Sequence, residues 1–320
     1  MHLLNMPPMV MSHILELTGF RARSTLRKVC CDLRNFMEDL SPECYLKNVS
    51  ITVTMDSICI YMDPQMDWSL DIVYQNLNDN SCSVQSFPNQ EVRVKDQDFL
   101  TTFLNDFEIN LRHQKDIIEV LRVSFECVLL GFLRGLEEVL RSREAPLRVQ
   151  ELNLEVSNQE EVMSILPFVD SKSIRKLSIS SSQGLIDLDL SHVVQLKQWR
   201  SITELEMFNC VVSTDLENFA HFSKAKLSVQ TVNSEDLFML KERFLTSRNF
   251  ERFIMKYKIF EEDNYLPTLL GEPIVIGRDI WSWPFSGTDE SLLLMHLDNQ
   301  TFNFSRVKSS EIVFKECYVP

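Results

Sequence analysis

Hydrophobic positions change their period along the chain, and each period predicts an element. Over the first forty residues they recur at helical offsets, at Val10, Ile14 and Leu17 flanked by Met11 and Leu15, then at Leu26, Val29, Cys30, Leu33, Phe36 and Met37. Pro7 and Pro8 suit a first helical turn, where a missing N–H costs nothing, and Thr18-Gly19 separates the two runs. The apolar stripe is wide. Below about 40 residues a lone core is normally insufficient, so the rest of the chain or another protein must cover this surface.

After Ser41-Pro42 the period drops to two. Val49, Ile51 and Val53, then Ile58, Ile60 and Met62, lie on either side of Met55-Asp56-Ser57 and predict a β-hairpin. Leu70-Ile72-Tyr74 and Cys82-Val84 flank the turn signal Asn78-Asp79-Asn80-Ser81. Together these make a small antiparallel platform over residues 46–95. From Asp96 onward, helical runs alternate with short strands. A helix over 98–113 leads to a strand at Val120–Val123, and a helix over 129–140 leads to Glu151–Leu154. The cap-like Ser157-Asn158-Gln159-Glu160 opens a helix before Arg175–Ile179. Further strands follow at Thr203–Met207, Lys226–Val229 and Phe253-Ile254, so strand centres at 121, 152, 177, 205, 227 and 254 recur at roughly 22 to 31 residues. This spacing predicts an α/β fold (α+β overall) whose body, residues 96–260, is a leucine-rich-repeat-like α/β solenoid. Ser291–Leu297 and Thr301–Val307 predict a terminal β-hairpin in a C-terminal extension, 261–320, that closes the exposed end of the solenoid.

Composition narrows the function classes. With 320 residues, 44% of them apolar, the chain exceeds one average domain and can bury a large core. Residues 1–50 hold six Lys/Arg and five Asp/Glu, a balance of +1, so the remainder carries −15 of the net −14. Such an acidic body repels phosphate backbones, which argues against nucleic acid as a partner. Eight cysteines, at 30, 31, 44, 59, 82, 127, 210 and 317, form no CxxC pair and suit free thiols in a reducing compartment. Pro7-Pro8 interrupts any signal-peptide core, and no segment offers about 18 uncharged apolar residues. The expectation is a cytoplasmic or nuclear protein with no membrane partner, in which the sequons at Asn48 and Asn299 are chance matches.

Catalytic patterns are missing from the sequence. Histidines at 2, 13, 113, 192, 221 and 296 form neither HxxxH nor HExxH, and no GxxxxGK[ST], GxGxxG or GxSxG occurs. His221 beside Phe222 reads as a packed core histidine. The adjacent Cys30-Cys31 reads as core thiol, since neighbouring cysteines make strained disulfides. No catalytic residue, metal or cofactor is expected, and the chain does not read as an enzyme.

The run Met6-Pro7, Val10-Met11, Ile14-Leu15, Leu17, Leu26-Arg27-Lys28-Val29-Cys30 and Leu33-Arg34-Asn35-Phe36 resembles an F-box, in the form found in the nematode F-box A family. It departs from the commoner pattern at Pro8-Met9, where many F-boxes follow Leu-Pro with an acidic residue, and at Leu33, where many carry an aromatic. Downstream, Asn105-Asp106 through Leu111-Arg112-His113-Gln114, Leu196–Arg200, Phe219–Phe222, Ser234-Glu235-Asp236 and Leu240–Phe244 resemble the FTH domain that accompanies the F-box in that family. The resemblance covers roughly residues 3–260.

It implies a substrate-recognition subunit of a Skp-cullin-F-box E3 ubiquitin ligase. The F-box helices, residues 1–45, would dock on a Skp-family adaptor, and through it a cullin ligase, with Leu4, Met6, Pro7, Val10, Met11, Ile14, Leu15, Leu26, Val29, Cys30, Leu33 and Phe36. The FTH-type region would bind a protein target. Such a receptor accelerates transfer by holding a substrate lysine near the charged conjugating enzyme, with no catalytic group of its own. In L-x-L strands the residues between and beside the leucines line an open sheet face. These are Arg122, Glu151, Asn153, Lys176, Ser178, Glu204, Glu206, Phe208, Lys226 and Ser228, a mixed and moderately acidic set with Phe208 as aromatic anchor. Trp281–Phe285 is a second candidate, with core at a strand end as its plainer reading. The alternative function is a protein-interaction scaffold outside any ligase, its vestigial F-box helices serving as an intramolecular cap.

Overall fold

The computed structural model describes residues 6–17, 32, 35–36, 46–64, 70–77, 79–86, 90–112, 114, 116–127, 129–261, 266–274, 279–297 and 300–315. The chain forms two compact units, an N-terminal one of residues 1–156 with 160–174 and a C-terminal one of residues 157–159 with 175–320. Each has a mixed sheet with helices, so the fold is mixed α/β.

The N-terminal unit begins with α1 (Pro8–Leu17) and a meander of five antiparallel strands, β1 (Leu46–Val53), β2 (Ser57–Pro64), β3 (Leu70–Asn76), β4 (Cys82–Ser86) and β5 (Gln90–Val94). The period-two residues pair as the alternation requires: Val49 faces Met62, Ile51 faces Ile60 and Val53 faces Ile58, all buried. The second turn closes on Asn80 in the left-handed region (φ 60°), a conformation asparagine tolerates well. Helix α2 (Phe99–Arg112) leads to β6 (Ile118–Phe125), and α3 (Leu130–Arg141) leads to β7 (Val149–Glu155). β6 lies parallel to β1, with Val49 beside Leu121 and Ile51 beside Val123, and β7 lies parallel to β6. The meander is therefore continuous with the parallel sheet. Both share β1, which pairs with β2 along one edge and with β6 along the other.

Phenylalanines of α2 and α3 fill the core beneath this sheet. Phe103 stacks on Phe107 at 5.4 Å, meets Tyr74 edge-on at 5.4 Å and Phe132 at 5.8 Å. The helices approach closely at Gly135, where a Cβ would run into Leu104. Just beyond α2, the buried Gln114 side chain completes the start of β1. Its Oε1 accepts from Leu46 N–H at 3.0 Å, while Nε2 donates to Leu46 C=O at 3.2 Å and Asp116 C=O at 3.1 Å. The strand neighbour of Leu46 is Pro64, which has no N–H to offer. A side-chain amide thus stands in for a missing strand residue.

After α4 (Gln159–Met163), the C-terminal unit adds β8 (Lys176–Ser180), β9 (Ile186–Leu188), α5 (Lys197–Ser201), β10 (Glu204–Val212), β11 (Lys224–Asn233), α6 (Ser234–Thr246) and β12 (Arg252–Glu261). Next come α7 (Leu266–Leu270), β13 (Ile280–Pro284), β14 (Glu290–Leu297), β15 (Thr301–Lys308) and α8 (Ser309–Lys315). Strands β8, β10, β11 and β12 are parallel neighbours; β9 pairs with the second half of β10 after Asn209 takes a left-handed turn (φ 57°). Leu177 lies beside Leu205, and Leu227 beside Met255, all fully buried. At the far side β15 runs antiparallel to β12, β14 to β15 and β13 to β14, so the predicted terminal hairpin joins this sheet and β13 is its last strand.

Helix α6 starts with a capping box: Asn233 Oδ1 accepts from Asp236 N–H at 2.9 Å and Asp236 Oδ2 accepts from Asn233 N–H at 3.1 Å. Its Leu237, Leu240 and Phe244 are fully buried, and Phe244 stacks on Phe250 at 4.1 Å and packs on Phe253 and Phe304, each at 5.2 Å.

Two sequence readings change and one is decided. On β12 the inward residues are Phe253 and Met255, so Ile254, placed with the core leucines by its spacing, faces outward; a shift of one residue moves a whole strand's side chains to the opposite face. Trp281 follows the plainer of its two readings: it is buried in β13 and donates from Nε1 to Gly271 C=O at 2.9 Å. His221 is exposed rather than core. Its ring leans on Phe222 at 4.0 Å and Nε2 bonds the Trp199 carbonyl at 2.9 Å, while partial desolvation holds its pKa below the ordinary histidine value.

Candidate functional site

Strand alternation decides which side chains are available to a partner. In the C-terminal unit, with leucines on the helix-covered face, two cross-strand rows line the other. One runs Lys176, Glu204, Lys224, Arg252, Ser305 and Leu293; the next runs Ser178, Glu206, Lys226, Ile254, Asn303 and Met295. Each row crosses six strands.

Opposite charges on neighbouring strands pair along these rows. Lys176 Nζ reaches Glu206 at 2.9 Å, and Lys224 Nζ reaches both Glu204 and Glu251 at 3.2 Å. Those two hydrogen-bonded carboxylates raise the Lys224 pKa. Lys226 lies 4.9 Å above the Phe208 ring, a cation–π contact, and Phe208 is 41% exposed. Exposed pairs of this kind contribute only about 0–1 kcal/mol each to stability, so the fold does not depend on their pattern. The rows open into a groove of about 920 Å³, whose floor and walls include Lys226, Arg252, Ile254, Met295, Asn303 and Ser305.

The structure brings Lys176, Ser178, Glu204, Glu206 and Lys226 of the predicted set onto this one face, with Phe208 beside them. Arg252, Ile254, Asn303 and Ser305 were missed. The signal for the last two was present, since Phe302 and Phe304 alternate with Asn303 and Ser305 at period two. Ser228 follows Lys226 at the same parity on β11, beside Lys256, and the other three predicted residues, Arg122, Glu151 and Asn153, lie in the N-terminal unit. There Arg122 sits directly beside Asn153 on neighbouring strands, and Asn153 Nδ2 donates to Glu151 Oε1 at 3.0 Å.

At the N-terminus, Met11 and Leu15 are buried against Met6, Ile14 and Phe36, while Pro7, Met9 and Val10 are exposed. Leu4, Leu26, Val29, Cys30 and Leu33 lie outside the described residues. Among the described residues, Cys59, Cys82, Cys127 and Cys210 are free thiols, and burial pushes the Cys210 pKa up to about 11. No three His, Cys, Asp or Glu side chains among the described residues group as metal ligands, and none of their helices is long and apolar enough to cross a membrane.

Compared with known families, residues 131–269 match the FTH domain, a match that stops short of the F-box-like residues at the N-terminus. No curated protein and no solved structure matches the chain.

Proposed function

Because residues 131–269 carry an FTH domain, a family tied to F-box proteins, we propose that the chain is the substrate-recognition subunit of a Skp-cullin-F-box ubiquitin ligase. Its N-terminal helices take the Skp-family adaptor and its FTH region takes the protein to be ubiquitinated. The FTH match is the observation that carries this reading. The N-terminal geometry supports it, because α1 keeps Met11 and Leu15 for a small apolar cluster of its own and leaves Pro7, Met9 and Val10 at the surface. An adaptor groove would cover those three. The protein acts by position alone, holding a target lysine near the conjugating enzyme in the reducing cytoplasm or nucleus.

The test is co-purification of the full chain with a Skp-family adaptor. Met9→Asp with Val10→Asp places two charges on the exposed apolar spot without touching the buried Met11 and Leu15, and is expected to abolish the complex. Phe208→Ser, on the other unit, should leave it intact. A chain that forms no adaptor complex, or whose complex survives the paired Asp substitutions, is instead an interaction scaffold with a vestigial F-box.

A further inference from the structure

The groove of the C-terminal unit holds two kinds of cation. Lys176 and Lys224 are occupied by Glu206, Glu204 and Glu251, and Arg306 is occupied by Glu290 at 2.5 Å. Lys226 and Arg252 reach no carboxylate among the described residues. Lys226 instead covers the Phe208 ring, and Arg252 Nε donates to Asn303 Oδ1 at 3.2 Å, which fixes the guanidinium and leaves its outer nitrogens unused. Since Lys226 lies beside Ile254, and Arg252 is two residues before it on the same strand, the two cations are diagonal neighbours on adjacent parallel strands. Lys226 leans toward β10 and Arg252 toward β15, and both side chains are long enough to swing inward onto one anionic group between them.

Two further observations point to an arriving acceptor. Ser305, directly across from Arg252, is 8% exposed, and its hydroxyl has no hydrogen-bond partner among the described residues. A buried donor without an acceptor is costly by itself. Next in the row, Ile254 and Met295 are half-buried apolar side chains flanking Asn303. The groove therefore sets a cationic pair beside an apolar strip.

Charge then selects the anion. The walls carry Glu204, Glu206, Glu251, Glu290 and Glu311 against Lys224, Lys226, Arg252 and Arg306, a net of −1. The net negative ring opposes a doubly charged phosphate about twice as strongly as a singly charged carboxylate, and the two unoccupied cations can together hold one carboxylate. Chain-terminal carboxylates are typically captured by nests of backbone N–H groups, and the donors here are side chains.

Resting on the substrate-receptor reading, we propose that this groove seats an extended segment of the target. One side-chain carboxylate is bridged by Lys226 and Arg252, and an adjacent apolar side chain lies on Ile254 and Met295.

The test uses the full chain and four pools of heptapeptides with randomised flanks, quantified by mass spectrometry after equilibrium filtration. Three pools are capped at both ends and centred on Leu-Glu-Leu, Leu-Gln-Leu or Leu-phosphoSer-Leu; the fourth ends in Leu-Gln-Leu with a free carboxylate. The Glu pool should be retained about five- to tenfold over the Gln pool, a ratio that falls with added salt. Lys226→Met with Arg252→Met should bring the ratio to about one, and Lys226→Glu with Arg252→Glu should invert it. Lys226 is exposed, while Arg252→Met removes the donor to the buried Asn303 Oδ1, so the pools are compared in the absence of urea, where each variant is folded, and the salt series reads the same contact without any variant.

Equal retention of the Glu and Gln pools by the unaltered chain, or a Glu preference that survives both double variants, overturns the proposal. So does a phosphoserine or free-terminus pool that outcompetes Glu. Adaptor co-purification is scored in the same variants. In the unaltered chain, absence of a Glu preference alongside an intact adaptor complex refutes the groove alone, and a Glu preference without any adaptor complex refutes the ligase reading alone.

Discussion

Replacing Gln114 with Met tests whether a side-chain amide can do the work of a strand. The two side chains are similar in length and volume, so packing around the buried site is kept while every hydrogen bond is removed. The change orphans Leu46 N–H and Leu46 C=O, which meet Gln114 at 3.0 and 3.2 Å and have only Pro64 as strand neighbour. Leu46 is 1% exposed, so water cannot take the place of the amide. Leaving a buried backbone group unpaired costs about 1–3 kcal/mol. Two such groups, less about 1 kcal/mol regained from the apolar thioether, predict a loss of about 2–4 kcal/mol. Gln114→Glu should be no better, because it keeps an acceptor but loses both donated bonds and buries a charge. Urea unfolding followed by far-UV circular dichroism gives the global loss, and amide exchange at Leu46 gives the local one. The exposed Gln85→Met serves as a control, expected within about 0.5 kcal/mol of wild type. The reasoning is refuted if Gln114→Met matches that control and Leu46 exchanges at its original rate.

Two other outcomes can be read from stability alone. Asn233→Ala removes the acceptor for Asp236 N–H at the start of α6 and should cost about 1 kcal/mol in urea unfolding; Asn233→Asp, which keeps an acceptor, should cost less. His221 titrates below its ordinary value, chiefly through desolvation and in part through Arg200, so the unfolded chain takes up the proton first. Its contribution is complete above about pH 6.5 and is lost as pH falls through the lower folded-state value. Relative to His221→Gln, wild type should therefore lose stability between about pH 7.5 and about pH 5, and parallel profiles for the two proteins would contradict this assignment.

The leucine positions were legible because parallel strands covered by helices bury one residue in two, and Leu121, Leu152, Leu177, Leu205 and Leu227 all lie in the core. The first two hairpins were legible from alternation and from the Asn-rich turn. Strands β5 and β9 were not, since β5 has only Val92 and Val94 as apolar positions and β9 has three residues, too little to establish a period. Nor could the sequence show that β1 pairs in parallel with β6, a contact across some seventy positions that local periodicity does not record. Of the candidate face, alternation about the leucines supplied Lys176, Glu204, Glu206 and Lys226. Arg252 was lost with the reversed parity of β12, where Phe253-Ile254 offers two apolar residues in succession and spacing favours the wrong one. Which charges are already matched is a property of neighbouring strands. It could not be read from either strand alone.

The last ladder of the C-terminal sheet carries a practical consequence for dissecting this protein. A fragment cut at residue 269, where the FTH match ends, would lack β13, β14 and β15. The Arg252–Lys256 half of β12, which pairs with β15 in the whole chain, would then present a bare edge of N–H and C=O groups, ready to pair with another copy. Phe304 would also vanish from the aromatic cluster of Phe244, Phe250 and Phe253, uncovering rings that are otherwise dry. The boundary of the family signature is thus no guide to where the chain can be divided. A fragment meant to stay soluble and monomeric must keep residues through Lys308, some forty beyond the match.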